Sequence, residues 1–281
     1  MKKITKLILA AVTGGCLLGY ITFCGIVYAF PEMFLYHPSA EKSILKKAHE
    51  DELPFQEVDY QASDQTKLTA WFIPAEDNHK TIVFMHGNAG KVDTFYPKMR
   101  IFAEKGYGIL MPEYRGFGGI KGKITQENLE KDALAAIDYL TNLGYKNEDI
   151  YLYGMSLGSH MAVHTAVQRQ EQGSFAGVIL EVPFDSLLNT AKKRFSFLPF
   201  DMIIRDEYDN MQEIQQIKSP ILIMGAEKDK IVPVELAQKL YDAAPDPKDI
   251  IIYEKAHHGN LQNFHNDLDI LKWIKEYEKN I

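Results

Sequence analysis

The chain has little cysteine: two residues among 281, Cys16 and Cys24, both inside an apolar N-terminal stretch. The remainder therefore carries no disulfide and no thiol chemistry. Blocks rich in lysine or arginine are also missing, and 31 basic residues against 38 acidic ones leave a formal net charge of −7. This charge pattern argues against nucleic acid as a partner. Neither an H-E-x-x-H motif nor a cysteine cluster nor a P-loop is present, so the sequence implies no metal and no cofactor.

A long uncharged run opens the chain. Residues 7–30 hold 24 residues without a charge, and as a helix they would extend about 36 Å, enough to cross a bilayer. Because Lys2, Lys3 and Lys6 precede the run, the positive-inside rule places the N-terminus in the cytoplasm and the rest on the outer, extracytoplasmic side. Three lysines near the far end of the run oppose this orientation: Lys42, Lys46 and Lys47.

We predict that residues 1–30 form a single-pass membrane anchor. A secretory signal segment is the alternative, with a cleavage site after Ala29, although the run is longer than a usual signal core. Residues 31–54 are predicted to be a juxtamembrane linker with a short helix near 43–50.

From residue 55 to 281 strands alternate with helices, and several strands are continuous apolar runs, as is typical of buried parallel strands. The pattern predicts an α/β fold with a mostly parallel, doubly wound sheet of about eight strands. The predicted strands are 58–60, 68–73, 81–85, 107–113, 150–153, 177–182, 221–224 and 249–253, and the clearest helices are 95–105 and 129–143.

The connection at about residues 184–218 is unusually long for such a fold. We interpret it as a small cap over the carboxyl edge of the sheet, where ligands bind; a longer helical crossover is the alternative. Its apolar side chains are candidates for substrate binding: Phe195, Phe197, Phe200 and Met202.

Residues 154–158 read G-M-S-L-G between a predicted strand and a predicted helix. This strand–turn–helix context is the one that the G-x-S-x-G nucleophile elbow requires. A serine at its tip sits in a cramped turn, so that neighbouring side chains would clash and glycine is favoured. Ser156 is therefore the candidate nucleophile.

A serine hydroxyl needs a base to become a nucleophile, and the base needs an orienting acid. In this fold the order is serine, acid, histidine, each after a strand. Asp229 follows the strand at 221–224, and His258 follows the strand at 249–253. Glu227 remains an alternative acid and His257 an alternative base.

Two backbone N–H groups are candidates for an oxyanion hole, which stabilises the negative charge of a tetrahedral intermediate. One belongs to Leu157 at the helix start, and the other to Asn88 in the glycine-containing loop H-G-N-A-G. His86 is expected to support that loop. Arg115 is expected to lock the following Y-R-G-F-G-G loop by hydrogen bonds.

With HGNAG, YRGFGG, GMSLGS, GAEKDKIVP and AHHGN in this order, the chain resembles the α/β-hydrolase superfamily, over roughly residues 55–281. It looks most similar to the single-pass membrane branch described as serine aminopeptidase-like. The resemblance implies a catalytic triad of Ser156, Asp229 and His258, with Asn88 and Leu157 as the oxyanion hole. Ser159 departs from the second glycine of many relatives.

We predict a serine hydrolase that cleaves carboxylic esters or thioesters through an acyl-enzyme, acting on a small or acylated, lipid-like substrate at the membrane. A serine peptidase of the same fold is one alternative. A non-catalytic membrane-bound binding module is another, from a different functional class. The oligomeric state stays open.

Overall fold

The computed structural model describes residues 2–30, 32–76, 79–194 and 197–279. The strands are β1 (His37–Pro38), β2 (Gln56–Gln61), β3 (Lys67–Ile73), β4 (Thr81–Met85), β5 (Ala89–Gly90), β6 (Gly108–Pro112), β7 (Ile150–Met155), β8 (Gly177–Glu181), β9 (Ile221–Ala226) and β10 (Lys248–Tyr253). The helices are α1 (Lys2–Ala29), α2 (Glu32–Leu35), α3 (Lys46–Glu50), α4 (Val92–Ala103), α5 (Gln126–Asn142), α6 (Leu157–Arg169), α7 (Leu187–Arg194), α8 (Phe200–Ile203), α9 (Asn210–Glu213), α10 (Val234–Ala243) and α11 (Asn266–Glu278).

Over the described residues the main sheet has eight strands in the order β10-β9-β8-β7-β4-β6-β3-β2. In this order the first six strands, from β10 across to β6, pair in parallel with their neighbours. The strand β3 pairs antiparallel with β6 on one side and with β2 on the other. The predicted mostly parallel sheet of about eight strands is confirmed. The carboxyl ends of its parallel strands lie at one edge, which is where ligands bind in such sheets.

Helices cover both faces of the sheet, because the central strands are apolar at successive positions. In β4, Val83 packs into one core with α5 and α6, and Ile82 packs into the other core with α4 and α11. Every residue of β4, β6, β7, β8 and β9 is buried, as expected for parallel strands covered on two sides.

Predicted boundaries differ from the observed ones by a few residues. The helix predicted from residue 95 begins at Val92, and the helix predicted from residue 129 begins at Gln126. In the second case the side chain of Thr125 accepts a hydrogen bond from the N–H of Asn128. This capping bond starts the helix ahead of its first apolar position.

Residues 32–54 are not separated from the sheet domain. His37 and Pro38 form a short parallel ladder with Ala89 and Gly90, and the N–H of His37 donates to the carbonyl of Asn88 at 2.8 Å. The Tyr36 side chain is buried, and its hydroxyl forms a hydrogen bond with the hydroxyl of Tyr208. The segment predicted as a linker thus braces the loop after β4.

One helix among the described residues is long and apolar enough to cross a membrane. The span Lys3–Ala29 contains an 18-residue window of mean hydropathy 2.0, none of it buried. Near its end, Val27 packs with Phe200 and Ile203 of α8. This helix fits a signal anchor or a single-pass membrane segment.

Candidate active site

Ser156 lies at the turn between β7 and α6, with a backbone φ of 52° and ψ of −116°. A positive φ is uncommon for a residue with a side chain and indicates a strained turn. The turn is held from two sides: the N–H of Ser156 donates to the carbonyl of Glu181 at 2.9 Å, and its carbonyl accepts from the Ser159 hydroxyl at 2.6 Å.

The glycines flanking Ser156 are required by close contacts. A Cβ on Gly154 would lie 2.2 Å from the carbonyl oxygen of Gly158, and a Cβ on Gly158 would lie 1.9 Å from the carbonyl oxygen of Met85. Both distances are far below van der Waals contact, so each site admits only hydrogen. The sharp turn predicted from G-x-S-x-G is therefore observed.

His258 and Asp229 meet Ser156 at the carboxyl edge of the sheet. The Nε2 atom of His258 lies 2.9 Å from the Ser156 Oγ, and its Nδ1 atom lies 2.7 Å from Oδ2 of Asp229. Three side chains that stand after three different strands thus form one hydrogen-bonded chain. This is the geometry that a serine nucleophile, a base and an orienting acid require.

The Asp229 carboxylate is fixed by backbone N–H groups two and three residues further along the chain. Its Oδ1 atom accepts from the N–H groups of Ile231 and Val232 at 2.7 and 2.9 Å, and its side chain is 1% exposed. These bonds leave Oδ2 to face the imidazole, so that the Nδ1 atom of His258 is the donor.

The two alternative residues point elsewhere. His257 is exposed, and its Nδ1 atom lies 2.8 Å from the carbonyl oxygen of Lys228. Its N–H donates to the side chain of Asn260 at 2.7 Å, which orients the His257–His258 turn. The Glu227 side chain is exposed as well. The structure therefore brings Asp229 and His258, and not Glu227 or His257, to Ser156.

The loop after β4 runs beside Ser156. A Cβ on Gly87 would lie 3.5 Å from the Cβ of Ser156, which places the backbone at Asn88 next to the nucleophile turn. Leu157 follows Ser156 directly as the first residue of α6. The Asn88 side chain donates to the carbonyl of Leu35 at 2.6 Å, so residues outside the sheet position this loop.

Two buried residues support the neighbouring loops, as predicted. His86 is buried with its Nδ1 atom 2.8 Å from the carbonyl oxygen of Gly87. Arg115 donates through Nη2 to Asp132 at 2.6 Å and through Nη1 to Asp64 at 2.6 Å. The guanidinium holds the pKa of the Asp64 carboxyl well below its usual range, whereas burial raises the pKa of Asp132.

Sequence comparison assigns the chain to a family. Residues 93–280 match Peptidase_S9, the prolyl oligopeptidase family. The chain belongs to the prolyl oligopeptidase family. This match supports the predicted α/β-hydrolase superfamily and makes the chain a member of a hydrolase family. Solved structures of an esterase and of an α/β hydrolase share its fold.

Individual relatives and one solved structure are similar over much of this chain. The uncharacterized protein YfhR of Escherichia coli K12 is 28% identical over 249 residues, 85% of this chain and 84% of that protein. The lysophosphatidylserine lipase ABHD12 of Danio rerio is 28% identical over 204 residues, 66% of this chain and 53% of that protein. The structure of the Pyrococcus furiosus esterase Pf2001 matches with a TM-score of 0.67 at 19% identity, over 88% of this chain and 97% of that one.

This prolyl oligopeptidase family member has an apolar cavity of about 200 Å³ between α1, α2 and the residues 184–218. Two of the predicted residues, Phe197 and Phe200, line it. The other lining residues were not predicted from the sequence: Phe23, Val27, Phe34, Leu35, Ala191, Leu198, Ile203 and Ile204. Met202 is 76% exposed and lies outside the lining, because it faces away on the short helix α8. Phe195 lies outside the described residues.

Proposed function

We propose that this protein is a membrane-anchored serine hydrolase that cleaves carboxylic esters or thioesters through an acyl-enzyme. The observation that carries the proposal is the chain of two hydrogen bonds from Ser156 through His258 to Asp229, at 2.9 and 2.7 Å. A binding module has no use for this alignment of an alcohol, an imidazole and a carboxylate.

In the proposed mechanism Ser156 Oγ attacks the substrate carbonyl while Nε2 of His258 takes the hydroxyl proton. Asp229 holds the imidazole in the tautomer with the proton on Nδ1 and stabilises the imidazolium that forms. The backbone N–H groups of Asn88 and Leu157 stabilise the oxyanion, each typically worth about 3 kcal/mol. His258 then gives its proton to the leaving group, and water releases the acyl group by the same steps.

Acylated substrates are favoured by the apolar cavity beside α1. One of its walls is Leu35, whose carbonyl accepts the Asn88 side chain at 2.6 Å. The cavity therefore adjoins the loop proposed to bind the oxyanion, and it lies where α1 would leave the bilayer. The name of the Danio rerio relative, a lysophosphatidylserine lipase, supports a lipid-like substrate for the present chain.

A serine peptidase of the same mechanism is the second candidate, because the family is named for a peptidase. Hydrolysis of aminoacyl amides faster than of esters with the same acyl group would favour this activity and the serine aminopeptidase-like assignment. A non-catalytic module would hydrolyse neither.

Anchoring and catalysis can be tested in one experiment. We expect a fluorophosphonate probe to label a 32.0 kDa full-length band in membranes washed with alkaline carbonate, because Ser156 is activated and α1 remains in the bilayer. Labelling of a shortened soluble species would reject the anchor, and a folded protein without label would favour the binding module. Labelling of intact cells with an impermeant probe then tests the proposed outward orientation.

The cavity predicts a chain-length preference. Each buried methylene contributes about 0.8 kcal/mol, so kcat/KM for p-nitrophenyl esters should rise about fourfold per added methylene until the cavity is full. Ala191→Phe should fill the cavity and remove this rise without changing acetyl ester hydrolysis.

The matched control is Ala40→Phe, which makes the same substitution at an exposed residue outside the cavity. Two results would contradict the placement of the acyl group in this cavity. One is a kcat/KM that does not change along the ester series in the unaltered protein, and the other is the same dependence of kcat/KM on chain length in Ala191→Phe and in Ala40→Phe.

A further inference from the structure

A second cluster of titratable side chains lies one helical turn beyond Ser156. One donor atom each from Glu130 of α5 and from His160 and His164 of α6 lie within 4.8 Å of one another. Nε2 of His160 is 2.9 Å from Oε1 of Glu130, and Nε2 of His164 is 3.9 Å from Oε2 of Glu130. The proposed hydrolysis uses none of them.

The hydrogen bonds of the cluster define which ring nitrogens carry protons. The amide nitrogen of Asn210 donates to the carbonyl of Phe184 at 2.8 Å, so its oxygen faces Nδ1 of His160, 3.0 Å away. Nδ1 of His164 lies 3.0 Å from a carboxylate oxygen of Glu213. Both acceptors require a proton on Nδ1, and in a neutral imidazole the other nitrogen then presents a lone pair.

In these neutral tautomers both Nε2 lone pairs face the carboxylate of Glu130, so a positive charge between the three groups, a proton or a metal ion, is needed to make the arrangement attractive. The cluster is also largely shielded from water, with the side chains of His160 and Glu130 at 1% and 16% exposure. The nearby cation Arg169 is bound to Asp138 through two bonds of 2.8 Å. The Glu130 carboxyl group and the two Nε2 atoms therefore form a compact set of donors for a cation.

We propose that Glu130, His160 and His164 bind one Zn²⁺ ion through one carboxylate oxygen and two Nε2 atoms, with a water molecule as the fourth ligand. Two imidazoles and a carboxylate form a donor set that zinc prefers. Tetrahedral bonds of about 2.0–2.1 Å put neighbouring donors about 3.3 Å apart, and the observed distances of 2.9 and 3.9 Å lie on either side of that value.

The outer contacts match those of a zinc site. Ligating histidines in proteins donate their other N–H to a carboxylate or carbonyl oxygen, and ligating carboxylates are themselves hydrogen-bonded. Asn210 and Glu213 fill this role for the two rings, and the amide nitrogen of Gln126 donates to Glu130 at 2.8 Å.

The ion would stabilise the packing of α9, in the segment after β8, against α5 and α6. Asn210 and Glu213 belong to α9 of that segment, whereas the three ligands belong to α5 and α6. Gln126 also accepts the N–H of Tyr208 at 3.0 Å. The proposed ion would thus hold α9 against α5 and α6, and it stands or falls independently of the proposed hydrolase activity.

Cobalt provides the test, because tetrahedral Co²⁺ absorbs intensely in the visible range. The full-length protein in detergent, freed of metal with a chelator, should bind one equivalent of Co²⁺ with a tetrahedral spectrum that Zn²⁺ abolishes. Glu130→Gln and His164→Gln should each weaken binding by about 100-fold or more, at least the effect of losing an outer contact. His79→Gln, an exposed histidine elsewhere, is the matched control and should bind as tightly as the parent.

A second measurement needs no variant and decides the question if the variants fail to fold. In the Co²⁺ protein the two Nδ1 protons should give two solvent-exchangeable, strongly shifted proton NMR signals. Absence of these signals, an octahedral spectrum, or equal weakening in His79→Gln would overturn the proposal and leave a hydrogen-bonded cluster only.

Discussion

Ser156→Ala is expected to lower kcat for ester hydrolysis by about 10⁴- to 10⁶-fold, the range observed when a catalytic serine is removed from comparable triads. Without Oγ there is no nucleophile 2.9 Å from the Nε2 atom of His258. The remaining activity would come from water in a site that still stabilises the oxyanion. Steady-state hydrolysis of a p-nitrophenyl ester, expressed per mole of folded protein, measures the loss, and fluorophosphonate labelling should disappear in the variant.

The matched control for this change is Ser174→Ala, an exposed serine on the loop before β8. Its kcat should equal that of the unaltered protein. Ester hydrolysis that survives Ser156→Ala within tenfold would assign the chemistry to another group and exclude the acyl-enzyme at this position.

Asp229→Asn is expected to lower kcat by about 10⁴-fold through the tautomer of His258. The side-chain oxygen of the new amide must keep accepting the N–H groups of Ile231 and Val232, which bond to Oδ1 at 2.7 and 2.9 Å. Its NH₂ group then faces Nδ1 of the imidazole. The ring must accept there and carry its proton on Nε2, where it can no longer take the proton of the Ser156 hydroxyl.

Glu227→Gln tests which of two candidate acids orients His258, because Glu227 and Asp229 both follow β9 and lie two residues apart. It should retain full activity because its side chain is exposed and His258 contacts Asp229. The same kinetic assay measures both variants. A large loss in Glu227→Gln with little loss in Asp229→Asn would reverse the assignment. Circular dichroism confirms that each variant is folded.

Much of the fold was predictable because its strands have distinct local patterns. Runs such as residues 82–85 and 221–224 are apolar at every position, as is typical of a strand covered on both faces. The edge strand at 58–60 was predicted too short: β2 extends from Gln56 to Gln61. Its outer positions are polar, so pairing with β3 and not composition sets its length.

The placement of Ser156, Asp229 and His258 at one edge was predictable for a topological reason. Each follows a strand, and parallel strands end at the same edge of a sheet. The choice between Glu227 and Asp229, or between His257 and His258, was not decidable from spacing alone. It depends on backbone bonds such as the one between the N–H of His257 and Asn260.

Contacts between segments distant in sequence were not predictable. Nothing in the residues 31–54 indicates that Tyr36 reaches Tyr208 across 172 positions. His160 and His164 stand four apart on one helix, a spacing visible in the sequence, but Glu130 and Glu213 join them only through tertiary packing. The apolar cavity was predictable only in part: Phe197 and Phe200 were named from the sequence, but α1 and α2 supply further parts of its lining.

If α1 anchors the proposed hydrolase in a membrane, the short ladder between His37–Pro38 and Ala89–Gly90 would make the effect of proteolysis on activity depend on where the chain is cut. A protease that trims the chain before residue 32 would free a soluble body with this brace intact. Cutting past residue 39 would remove the bonds from His37 and Ser39 that pin the backbone at Asn88 and Gly90. A cut before residue 32 would release a hydrolase that keeps its activity, whereas a cut past residue 39 would abolish the activity.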